Sequence, residues 1–75
     1  MTGVLTLVQE ERFQLLDDGD QRRFFALSRH APVEPAQLQA LRASGARVSV
    51  EYEDVPDMIV HVAHRITRLD ERNSP

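Results

Sequence analysis

The stretch Val33-Glu34-Pro35-Ala36-Gln37-Leu38-Gln39-Ala40-Leu41-Arg42-Ala43-Ser44-Gly45 decides how the rest of the chain is read. Residues Ala36 to Ala43 are the one strongly helical run, built from alanine, leucine, glutamine and arginine, which lose little freedom in a helix. Its ends are marked. Pro35 suits the first helical position, Val33 and Leu38 have the spacing of an apolar staple, and Ser44-Gly45 supplies a glycine stop. Leu38 and Leu41, three apart, give a narrow apolar stripe of the width needed to plug one opening.

Strand patterns lie on both sides of this helix. Gly3 to Gln9 is rich in β-branched residues and apolar on both faces, and Arg12 to Leu16 alternates, with Phe13 and Leu15 on one face. Asp17-Asp18-Gly19-Asp20 then reads as a turn, because glycine accepts and aspartate tolerates a positive φ. Arg22 to Leu27 makes a third strand in which Phe24 and Phe25 must point to opposite sides, Phe25 and Leu27 toward the core and Phe24 away from it. After the helix, Val48, Val50 and Tyr52 alternate with Arg47, Ser49 and Glu51, the clearest strand of the chain. Residues 53–57 form a loop around Pro56, Met58 to about Leu69 a last strand, and residues 70–75 a polar tail.

The fold class expected is therefore mainly β with one short helix, in the order β-β-β-α-β-β. This order, with a helix between the third and fourth strands, resembles the OB-fold, a five-stranded Greek-key barrel whose helix caps one end. An Sm-like barrel carries its helix before the strands and fits less well. Val4-Leu5-Thr6-Leu7-Val8-Gln9-Glu10 and Val62-Ala63-His64-Arg65-Ile66 also look like stretches of uncharacterised small proteobacterial proteins, a resemblance that implies no activity. The chain reads as a single domain over residues 1–75, with its ordered core at about residues 3–69.

Composition narrows the function. At 75 residues the core is small, since a domain of this size buries only about 60% of its unfolded surface. Without cysteine there is no disulfide, thiolate metal site or cysteine nucleophile. The chain shows neither a signal-peptide pattern nor an apolar run near the roughly 20 residues of a membrane span, so a cytoplasmic protein with no membrane association is expected. All nine basic residues are arginine, and the net charge is −3, the wrong sign for holding nucleic acid by phosphate neutralisation.

No serine or threonine occupies a nucleophile elbow, the three glycines are isolated, and no paired carboxylates stand out from the solvated loops. The expectation is a protein that is not an enzyme and takes no cofactor or metal. His61 and His64, three apart, would share a face on a helix but fall on opposite faces of a strand, so they cannot meet at one metal unless a bulge intervenes. Counting branched residues assigns His64 to the inner face with Val60, Val62 and Ile66, and makes it a candidate pH-responsive residue, since imidazole changes charge in mild acid.

Two binding functions follow. Arg12, Arg22, Arg23, Phe24, Arg47, Ile59 and His61 form a candidate surface for a protein partner or for self-association. The alternative is single-stranded nucleic acid, which the OB-like resemblance implies and for which Arg12, Arg22, Arg23, Phe24 and Arg47 supply cations and a platform. It is disfavoured by Glu10-Glu11, Asp17-Asp18-Gly19-Asp20 and the loop at residues 53–57, which are acidic where a phosphate backbone would pass.

Overall fold

The structure is a computed structural model that describes residues 1–55 and 60–69. Five strands and one helix follow in the expected order: β1 Thr2–Gln9, β2 Arg12–Asp17, β3 Arg22–Leu27, α1 Pro35–Ser44, β4 Arg47–Glu53 and β5 His61–Arg68. The strands close into a barrel in the spatial order β1-β2-β3-β5-β4. Neighbouring strands run antiparallel except β3 and β5, which are parallel, and β4 lies between β5 and β1. This is the OB-like Greek-key arrangement that the helix position implies.

Closure depends on the first residues of β1, where Gly3 is opposite Asp17 of β2 on one side and Val48 of β4 on the other. A side chain has no room there. A Cβ added to Gly3 would lie 2.1 Å from the Leu16 carbonyl oxygen, so glycine is what lets the two backbones approach.

The helix begins and ends as its sequence directs. Pro35 occupies the first turn, and a reciprocal pair of hydrogen bonds links Glu34 and Gln37: the Glu34 side chain accepts from the Gln37 backbone, while the Glu34 N–H donates to Gln37 Oε1 at 2.8 Å. Gly45 stops the helix at φ 67°, a left-handed conformation that glycine adopts without Cβ strain. Leu38 is fully buried among Leu5, Val8, Phe13, Leu15, Phe25, Val48, Val50 and Ala63, and Val33 and Leu41 pack against that cluster. Gln39 Nε2 also donates to the Val8 carbonyl, 3.3 Å away, holding the helix on β1.

Two bulges change the inside-outside pattern. In β1, Leu5 is opposite Leu15 but Leu7 is opposite Gln14, so Thr6 is an extra residue. The following alternation is shifted: Leu7 turns outward and Val8 inward, leaving Leu5 and Val8 both buried although three apart. In β5, Glu51 is opposite Arg65 and Tyr52 opposite Ala63, so His64 is the extra residue. The same shift puts Ala63 and Ile66 both toward the core, three residues apart.

Candidate functional site

The antiparallel register places outward side chains of β1, β2 and β3 in rows that cross the strands. Leu7, Gln14 and Phe24 form the middle row, Gln9, Arg12 and Ala26 the row beside it, and Val4, Leu16 and Arg22 the row on the other side. Rows on one face are about 7 Å apart, two residues along a strand. Leu7 is 46% exposed and Phe24 is 50% exposed, and with Tyr52 they are the exposed large apolar side chains among the described residues. Two of these three therefore meet in one row, separated only by Gln14.

A groove of about 320 Å³ opens here, lined by Leu7, Gln9, Arg12, Gln14, Phe24 and Val60 and bordered by Phe13 and Phe25. On the inner side of the same strands the Phe13 and Phe25 rings stack at 5.1 Å in the buried core, and Tyr52 meets Phe25 edge-on at 5.6 Å. Arg12 is the one charged side chain in the lining. It has no carboxylate partner among the described residues. Glu10, with a left-handed φ of 54°, and Glu11 form the β1–β2 turn just beyond Arg12 and border that end of the groove.

Of the residues expected to form a binding surface, this face brings together Arg12, Arg22 and Phe24. Arg23 is opposite Leu15 and points to the inner side of β3, where its Nε donates to Asp17 Oδ2 at 2.9 Å. Arg47 lies on the outside but two strands away from Leu16, opposite Val4, and is held by Asp18. Ile59 lies outside the described residues. Leu7, Gln9, Gln14 and Val60 were not among the expected residues. Strict alternation along Gly3–Gln9 hides Leu7, because only the bulge at Thr6 turns it outward.

The histidines do part to opposite sides, but in the reverse sense to the one the branched residues suggest. His61 is opposite Phe25 and takes the inner side, its ring 5.5 Å from Phe25 and 5.1 Å from Tyr52, with Nδ1 2.6 Å from Asp54 Oδ1. His64 is the bulged residue and is exposed, its Nε2 2.8 Å from Glu53 Oε1. Counting faces fails here because the bulge inserts a residue exactly where the count passes through. Although a bulge intervenes, each imidazole meets its own carboxylate, and no group of three histidine, aspartate or glutamate side chains able to hold a metal occurs among the described residues.

The β2–β3 turn is organised by one carboxylate. Asp17 Oδ1 accepts from the Gly19 and Gln21 backbone N–H groups, each at 2.9 Å, while Oδ2 takes Arg23. The Gln21 N–H, then the Arg23 side chain, hold the Asp17 carboxyl below its ordinary value against the opposing effect of desolvation, with the Gly19 N–H adding to them. Asp18 is lowered too, by the hydrogen bonds from Arg47 and then from Thr2. The left-handed residue of this turn is Asp20, φ 64°, rather than Gly19.

No protein-family model, curated protein or solved structure matches this chain. Among the described residues no helix is long and apolar enough to cross a membrane.

Proposed function

We propose that this barrel is a non-enzymatic interaction module that binds another polypeptide, or a second copy of itself, through the outer face of β1, β2 and β3. The observation that carries this reading is the row Leu7–Gln14–Phe24, in which two large apolar side chains stand half exposed above a groove. Exposed apolar residues scattered singly need no explanation, but an aromatic and an aliphatic side chain on one rigid sheet, over a shared cleft, have the form of an anchor site.

The test is affinity capture from the native organism with wild-type and Phe24→Glu baits, alongside concentration-dependent light scattering. A partner recovered by the wild type and lost with the variant, or self-association abolished by the variant, supports the module. A strict monomer whose captured proteins are the same for both baits contradicts it.

One observation favours single-stranded nucleic acid as a second reading: Phe24 is exposed between the rows that carry Arg12 and Arg22, a platform flanked by cations. Binding to mixed single-stranded DNA and RNA that weakens steeply with salt supports it, and absence of binding at low salt removes it.

A further inference from the structure

We propose that the groove between Leu7, Arg12 and Phe24 seats one bulky apolar side chain of a partner polypeptide whose neighbouring residue carries a carboxylate. This rests on the protein-binding reading above and specifies the partner's chemistry.

The position of Arg12 carries it, in a groove whose other lining residues are uncharged. Arg23 and Arg47 are each engaged by an aspartate of the β2–β3 turn. Arg12, the one charged residue in the lining of the groove, has no such partner among the described residues. A guanidinium beside an apolar cleft is complementary to a ligand that offers one anion next to one apolar group, since a carboxylate accepts its planar pair of N–H donors in a fixed geometry. The remaining lining agrees. Leu7, Phe24 and Val60 supply apolar walls, and Gln9 and Gln14 offer amides to a peptide backbone. At about 320 Å³ the cleft is at the small end for ligand sites and has room for one bulky side chain.

The surroundings select a peptide over an oligonucleotide. A nucleic-acid strand brings a phosphate with every nucleotide, and the next one past Arg12 would meet Glu10 and Glu11, which border that end. A polypeptide with a single carboxylate needs one cation, which is what the groove holds.

The experiment is an NMR titration of the whole chain with short peptides, blocked at both ends, that carry one phenylalanine flanked by glutamates, by glutamines or by lysines. A thymidine oligonucleotide is a fourth probe. The expected result is that the glutamate-flanked peptide shifts the amides of Leu7, Gln14 and Phe24 and binds about tenfold more tightly than the glutamine-flanked one, the worth of one charge-assisted hydrogen bond. Arg12→Gln should abolish that preference, while Arg22→Gln, on the same face but outside the groove, should keep it. Equal binding of all three peptides, or a preference that survives Arg12→Gln, overturns the proposal and leaves the protein-binding reading standing. No shift with any peptide also overturns it, with the broader reading then judged by Phe24-dependent capture. Oligonucleotide binding at these amides without peptide binding overturns both.

Discussion

Phe24 and Phe25 are neighbours in one strand and have opposite surroundings. Phe25 is fully buried, stacked on Phe13 and met by Tyr52 and His61, whereas Phe24 is half exposed on the other side of the same backbone. The pleat alone separates them, since successive side chains of a strand point to opposite faces. One phenylalanine closes the barrel and the other is free to meet something outside it. The inner face is where stability resides and the outer face is the one proposed for binding, and each can be altered while the other is watched.

The largest effect is expected inside. Phe25→Ala should lower unfolding free energy by about 3–5 kcal/mol, from lost burial plus the cavity left in a small core, measured by urea denaturation. A loss below about 1 kcal/mol would mean that the two faces do not differ as described. Gly3→Ala should follow, costing about 1–3 kcal/mol through the clash with the Leu16 carbonyl where β1 closes the barrel, and its thermal midpoint should fall accordingly.

A smaller effect concerns the turn that joins β2 to β3. Asp17 and Asp18 have folded-state pKa values below 3.8, so the unfolded chain binds their protons first as pH falls. Their contribution is present above about pH 4 and lost as pH drops through the lowered folded values. The urea midpoint should therefore decline on that acid limb, and Asp17→Asn should lower the midpoint at neutral pH while flattening the limb. An unchanged acid limb in the double variant Asp17→Asn, Asp18→Asn would show that these carboxylates do not link folding to acid.

Much of this architecture was legible in the sequence because its causes are local. The staple, proline start and glycine stop of α1 lie within a dozen residues, and Val48 and Val50 alternate with their polar neighbours as a half-buried strand requires. The order of elements then leaves few ways to close a barrel. The two bulges were not legible, since a bulge is a property of the register between two strands and Thr6 and His64 carry no local mark of it. That one kind of gap accounts for two differences: Leu7 was absent from the expected surface, and His64 was assigned to the inside when His61 holds that place. The scatter of the arginines has another origin. Arg22 and Arg23 are adjacent, yet only the pleat and the position of Asp17 decide that Arg23 is engaged at the turn while Arg22 stays on the outer face.

The smallest expected effect is the most direct test of the account, which holds that Phe24 serves contact with a partner rather than the barrel itself. Urea denaturation of Phe24→Glu should give an unfolding free energy within about 0.5 kcal/mol of the wild type, as for a surface substitution. A loss of about 2 kcal/mol or more would place Phe24 among the residues that hold the fold together and contradict the division between the two faces.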